Sequence, residues 1–345
     1  MEQDATWSNA LLSTIISRSG IMLPLKVSAL YRKIQKLLDR TLPEPLFYQR
    51  RYFLLHKRFC NFRKPRRFSE KIFHRMRYPA PVFSLLADKV RAREYIERTI
   101  GAEYLVPCYL VCDRVTTQTL EGLPDSFVMK ANHSSRQTRI VTDKSHEDPE
   151  VLARIANDWL RKDFSRQARE KHYSDIQPKI IFEKALLCNG KPPDDYKFNI
   201  FNGGPGNRPY VFIQVMQGRF EKKLTQNLFL EDWSIAPFSR TQKDPSDDPR
   251  LSASPAELPE MLDIAKRLSA PFGYLRVDCY RHDGKIYVGE LTITPAAGAY
   301  RFLPPEWDLI LGSKFGWPEK PPPAWPSGKL SICRKPEAEK AEDQP

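Results

Sequence analysis

The chain has 345 residues, 41% of them apolar and 28% charged, the composition of a soluble globular protein with room for two or three domains. Wholesale disorder, collagen-like repetition, a coiled coil and a polytopic membrane fold are excluded. The net charge of +13 is concentrated, because residues 46–79 hold eleven Lys/Arg against one acid, Glu70, which gives +10 there and leaves +3 elsewhere. Such a segment attracts an anion: nucleic acid, a phosphorylated substrate, an acidic polysaccharide or an inner-leaflet membrane surface.

The first 30 residues lack the basic start of a secretory signal, and Ala10 to Leu30 is too interrupted by Arg18, Gly20, Pro24 and Lys26 to span a bilayer. Six cysteines without a C-x-x-C pair encode neither a zinc site nor a disulfide framework. The expectation is a cytoplasmic protein, with peripheral contact to the inner membrane through the basic N-terminal region as an option.

In chain order, residues 25–42 show helical spacing of apolar side chains, and the basic stretch 47–78 interleaves Phe53, Phe59, Phe62, Phe68 and Phe73, which suit the buried side of short helices. A helix is expected over 82–100, ended by Gly101, then a strand over 104–111. Strands over 126–131 and 179–187 flank a helix over 149–163. Residues 196–201 and 210–216 flank Asn202-Gly203-Gly204-Pro205-Gly206 and read as a hairpin. A helix over 255–270 precedes strands over 274–281 and 285–294, and the Pro-rich stretch after Gly316 reads as a disordered tail. The mixture predicts an α+β fold with mainly antiparallel sheets. Its parts are a basic helical region (1–80), an α/β part (81–125), a small lobe (126–190), a large lobe (191–316) and the tail (317–345).

The chemistry concentrates in the last two strands. A three-residue loop, His282-Asp283-Gly284, would pair residues whose numbers sum to 566, setting Arg276 opposite Glu290 and Asp278 opposite Val288. Arg276, Asp278, Glu290 and Thr292 then share one face, while Leu275, Val277, Cys279, Tyr287, Leu291 and Ile293 point to the apolar side. Two neighbouring carboxylates repel unless a cation lies between them, and Mg2+ with substrate phosphates is the simplest such cation. An Arg276–Glu290 ion pair with Asp278 solvated is the equal alternative, and a two-residue Asp-Gly turn would slip the register by one. Upstream, Lys130 alternates with Phe127, Met129 and Ala131 and precedes a polar loop, His133-Ser134-Ser135-Arg136-Gln137-Thr138, able to donate to phosphates. Glu183 and Lys197 likewise lie inside otherwise apolar strands.

NFRKPRRFSEKI, LADKVRAREYI, LPDSFVMKANH, DYKFNIFNG, GYLRVDCY and GKIYVGELTITPAAG, in this order between about Phe62 and Gly312, resemble the TupA-like group of ATP-grasp ligases, which is associated with bacterial surface polysaccharide synthesis. The resemblance implies two α+β lobes enclosing ATP. Lys130 would touch the α- and β-phosphates, with His133 and Ser134 beside it. Glu183, Lys184 and Leu186 would edge the adenine, and Lys197 would be a second nucleotide-side and catalytic cation. Asp278 and Glu290, with Thr292 where asparagine is common, would hold Mg2+, and Arg276 would steady the transferred phosphoryl group. The loop after Lys130 lacks the glycines of similar chains. The implied reaction is ADP-forming C–N ligation of a uronic acid or other glycan-linked carboxylate with an amino acid or other amine. Residues 46–79 would hold the anionic acceptor, and nucleic acid is disfavoured as a partner. Two rivals are a non-catalytic binder of acidic polymer or nucleic acid with a degenerate ATP site, and an ATP-grasp kinase acting on a hydroxyl.

Overall fold

A computed structural model describes residues 35–319, apart from 36, 136, 189, 204–207, 218–224 and 241–252. The expected helix over 25–42 and all but three residues of the Pro-rich stretch lie largely or wholly outside the described residues. Two compact units divide at Phe59/Cys60. The first carries helix α1 (Glu44–His56), which starts with proline in its first turn and closes on Lys57 in the left-handed conformation.

The second unit opens with α2 (Phe68–Arg77), α3 (Pro81–Ala87) and α4 (Lys89–Ile100). The helix expected over 82–100 is thus two. Asp88 divides them, because its extended backbone ends α3 while its carboxylate accepts the amides of Val90 and Arg91 as the N-cap of α4. Next come β1 (Cys108–Cys112), α5 (Thr117–Glu121), β2 (Phe127–Ala131), β3 (Thr138–Val141), α6 (Pro149–Leu160), α7 (Ser165–Ala168) and β4 (Ile180–Lys184). Their strands form an antiparallel sheet in the order β1-β4-β2-β3. On one face Phe127, Met129, Ala131, Ile180 and Phe182 bury against Leu152, Ala153 and Ala156 of α6, so the alternation around Lys130 puts its ammonium on the other face.

The larger sheet, β7-β6-β5-β8-β9, is also antiparallel. It is built from β5 (Asp195–Phe201), β6 (Tyr210–Gln217), β7 (Thr225–Leu230), β8 (Tyr274–His282) and β9 (Lys285–Thr292), with α8 (Leu258–Ser269) between β7 and β8. The expected 196–216 hairpin is β5-β6, whereas β7 has no counterpart among the predicted elements. Met261, Ile264, Ala265 and Leu268 of α8 pack with α3 and α4 against Phe198, Ile200, Ile213, Leu275 and Val277. Each large side chain so buried contributes about 1.5–3 kcal/mol. Helix α4 touches both sheets, since its Val90 joins Cys108 and Ile181 while Tyr95 and Ile96 belong to the large-sheet core.

The opposite face of the large sheet is half aromatic and half polar. Phe68 packs on Phe201, Tyr274, Phe302 and Phe315, holding α2 and the C-terminal helix α9 (Trp307–Lys314) to it. Two of the basic-segment cations are consumed here. Lys71 donates to the carbonyls of Gly312 and Phe315. Arg75, 1% exposed, donates to those of Ile293 and Tyr274 and pairs with Glu319. The run of positive charge is therefore not one surface, and of its members in this unit Arg63, Lys64 and Arg66 are the exposed ones. Among the described residues no helix is long and apolar enough to cross a membrane.

Candidate active site

The turn between β8 and β9 corrects the expected register. His282 pairs with Lys285, so the loop has two residues, Asp283 and Gly284, both with positive φ, the conformation that suits a tight hairpin. Left alone, this would slip the ladder and turn Asp278 and Glu290 apart. A bulge restores them: Cys279 pairs with Val288, but Asp278 pairs with Glu290 and Arg276 with Thr292, leaving Gly289 as the extra residue. A Cβ there would lie 2.2 Å from Cε2 of Tyr280, so any other residue would push that ring aside. The shared polar face survives with pairings different from those expected. Between bulge and turn the apolar set changes, so that Ile286 and Val288 enter the core while Tyr287 packs with Val106 and Leu186.

The resulting ladder runs across four strands as Gln214, Lys197, Asp278 and Glu290. Lys197 Nζ lies 2.7 Å from Asp278 Oδ2 and 3.1 Å from Asp195 Oδ2. Arg276 grips Asp278 with two bonds, Nε to Oδ1 at 2.6 Å and Nη2 to Oδ2 at 2.8 Å, and its Nη2 is 3.9 Å from Glu290. Burial alone would raise the Asp278 carboxyl, but Arg276 and Lys197 outweigh it and hold the group below the usual carboxylate range. The same balance holds Arg276 well above its ordinary value despite desolvation. Glu290 accepts the Thr292 hydroxyl at 2.8 Å and keeps 27% of its side chain exposed. The alternative of a solvated Asp278 is therefore not what the fold builds, since Asp278 is 2% exposed and is the preferred partner of Arg276.

Across the cleft, Lys130 Nζ lies 2.6 Å from Glu183 Oε2, and Arg93 Nη1 lies 2.9 Å from Oε1. Glu183 is held below its ordinary pKa because these cations override its burial. Lys89, at the start of α4, donates to the carbonyl of Ser134. Desolvation lowers its pKa, with Glu290 opposing and Lys130 adding to the effect. Lys89, Arg93, Lys130, Glu183 and Glu290 line one cleft, with Val288 and Gly289 as apolar wall. Lys89 and Arg93 were not among the predicted site residues. Their signal was the i,i+4 spacing of two cations on the inward side of a helix expected from its apolar period.

The remaining candidates are placed less uniformly. His133 is buried, with Nδ1 3.2 Å from Asn132 Oδ1 and Nε2 3.1 Å from the Lys162 carbonyl. Both oxygens are acceptors, so the neutral ring donates its one N–H to one of them inside the small lobe, and desolvation lowers its pKa. The Ser134 hydroxyl accepts the amide of Gln137. Lys184 is exposed at the end of β4, whereas Leu186 joins Val106 and Tyr287 in a small apolar cluster between the sheets. Arg139 is tied to Glu147, and Arg136 lies outside the described residues.

Among the described residues no group of three or more acidic, histidine or cysteine side chains could hold a metal by itself. Asp278 and Glu290 are nevertheless hard-oxygen donors on directly paired positions. This suits Mg2+, which takes one or two carboxylates and completes its shell with phosphate oxygens and water.

The sequence profile of the TupA-like ATP-grasp family matches residues 70–316. No curated protein matches the chain in sequence. Among solved structures, the chain is similar to D-alanine–D-alanine ligase from Bacillus anthracis, at 17% identity over 67% of this chain and 62% of that one, with a TM-score of 0.36. Similarity to D-alanine–D-alanine ligase from Helicobacter pylori is 13% over 69% and 60%, TM-score 0.37. For phosphoribosylamine–glycine ligase from Thermotoga maritima it is 11% over 63% and 50%, TM-score 0.37. The chain thus spans less than two thirds of the length of each of these proteins.

Proposed function

Because the chain belongs to the TupA-like ATP-grasp family, we propose that it is an ATP- and Mg2+-dependent carboxylate-amine ligase. The observation that carries this reading is the cleft in which Lys89, Arg93 and Lys130 face Glu290, the cross-strand partner of Asp278. Three cations around one carboxylate, Glu183, leave positive charge for the phosphates of ATP, and the apolar cluster of Leu186, Val106 and Tyr287 would face the base. Asp278 and Glu290 would hold Mg2+, which supplies charge neutralisation at the phosphates. Arg276, fixed by Asp278, steadies the oxygens of the transferred phosphoryl group, and Lys197 keeps the Asp278 carboxylate ionised and oriented.

The substrate carboxylate attacks the γ-phosphorus and ADP leaves. The amine nitrogen then attacks the acyl phosphate, phosphate departs, and the amide forms with loss of a proton. Positioning and charge stabilisation are what such chemistry demands, with no side-chain nucleophile. The substrate class we favour is a uronic acid or other glycan-linked carboxylate, with an amino acid as amine. Exposed Arg63, Lys64 and Arg66 are suited to hold a more distant anionic part of the acceptor.

An ADP-release assay over uronic acids crossed with amino acids, with mass spectrometry of the product, tests the reading. Asp278→Asn and Glu290→Gln should each lower the rate about 10²–10³-fold. ADP release with a phosphorylated hydroxyl and no amide would make the protein a kinase. Unchanged Mg2+-dependent ATP binding in both variants would remove the catalytic reading altogether.

A further inference from the structure

Arg240, in the segment after β7, stands apart from the other buried or half-buried cations of the large lobe. Its guanidinium carbon lies 3.4 Å above the ring centre of Tyr300, and its Nη1 donates to Gln214 Oε1 at 3.2 Å. Neither partner is a carboxylate, and Arg240 and Arg276 outweigh burial to hold the Tyr300 phenol below its ordinary pKa. Among the described residues no carboxylate pairs with Arg240, and its Nε–H is buried without an acceptor. Arg276, by contrast, has Asp278.

The two guanidinium groups share Tyr300, whose hydroxyl accepts from Arg276 Nη1 at 3.4 Å and donates to Gln214 Oε1 at 3.2 Å. Burial lowers the pKa of Arg240, and Arg276 adds to the effect. Two like charges brought together in a partly desolvated place, one of them without a carboxylate partner, are stabilised by a bound anion. Stacking occupies the flat side of the Arg240 group. Its buried Nε–H, left without an acceptor, lies on the edge that donates the paired, in-plane hydrogen bonds a carboxylate accepts. Gln214 fixes the location, because it belongs to the same cross-strand row as Lys197, Asp278 and Glu290.

We propose that Arg240 and Tyr300, beside Arg276, form a carboxylate-binding subsite for one of the two substrates of the ligation. This rests on the ligase reading. The carboxylate belongs either to the sugar acid or to the amino acid, and the test separates these sources. Thermal unfolding of the full chain is followed with D-glucuronate against D-glucose, and with L-alanine against L-alaninamide, each with and without ATP and Mg2+.

For the unsubstituted protein, one of the two carboxylates should raise the midpoint and its neutral counterpart should not, which identifies the source. Arg240→Gln should weaken that carboxylate about tenfold to a hundredfold while leaving the ATP-induced shift intact. If Arg240→Gln does not unfold cooperatively, Arg240→Lys and Tyr300→Phe take its place, each with a smaller loss of the same carboxylate. Equal stabilisation of parent and variants, or no carboxylate effect on the parent, overturns the proposal. A carboxylate effect that depends on Arg240 without any ATP-induced shift would strike the ligase reading and leave the subsite standing.

Discussion

Two carboxylates, Glu183 on β4 and Asp278 on β8, are each clasped by a lysine and an arginine, yet their surroundings differ. Glu183 is alone among Lys130, Arg93 and nearby Lys89. Asp278 has acidic company in Asp195 and Glu290, balanced by Lys197 and Arg276. The first arrangement leaves excess positive charge and suits polyanion binding. The second is nearly neutral, and under the ligase reading its carboxylates Asp278 and Glu290 would hold Mg2+. A similar ion-pair motif thus sits in two different electrostatic settings, decided by what else stands within a few ångströms.

Removing the lysines separates the two settings most sharply. Lys197→Met removes the lysine from buried Asp195 and leaves Asp278 to Arg276 alone, in a site where both carboxylates are nearly inaccessible, and should destabilise the fold by about 3–5 kcal/mol. Lys130→Met leaves Glu183 with Arg93, so stability should change by less than about 1 kcal/mol while the KM for ATP rises about tenfold. Urea unfolding and ATP-dependent kinetics measure both, and equal destabilisation would erase the distinction.

A second contrast concerns acid lability. His172, 1% exposed, is packed beside Thr294 just past β9, with Nε2 3.5 Å from the threonine hydroxyl. Burial and Arg75 push its pKa down to about 3. The unfolded chain takes up this proton near pH 6.5 and the folded chain does not. The stability it contributes is therefore complete above about pH 6.5 and is lost as the pH falls toward the folded value. At pH 4.5 the loss should be about 3 kcal/mol. His172→Gln should flatten this limb of a urea-midpoint profile more than His133→Gln in the small lobe, and the reverse ranking would break the contrast.

The smallest of these effects tests the bulge that keeps the large-lobe face together. Gly289→Ala forces a methyl against Tyr280 and should cost about 1–3 kcal/mol, read by thermal unfolding. Its ADP-release rate should fall further than that of Lys130→Met, because the displaced register moves Glu290 away from Asp278. A further change, Tyr280→Ala, should recover part of the stability.

Local pattern was enough to identify the α+β class, most strands, the inward helices and the family, because period-2 and period-3.6 burial and the order of several motifs are written in neighbouring residues. It also placed Lys130, Glu183, Lys197, Arg276, Asp278 and Glu290 as polar intrusions in apolar strands. Tertiary structure alone decided the two-residue turn and its compensating bulge, since the clash between Gly289 and Tyr280 exists only once the hairpin has closed. It likewise sent Lys71 and Arg75 of the basic run inside, where carbonyls of β8, β9 and α9 receive them. Arg240 and Tyr300 are far apart in sequence and meet beside the isolated bridge between Ser239 and Leu303. Charge and chemistry are inherited from the chain, but which charges become neighbours is set by packing.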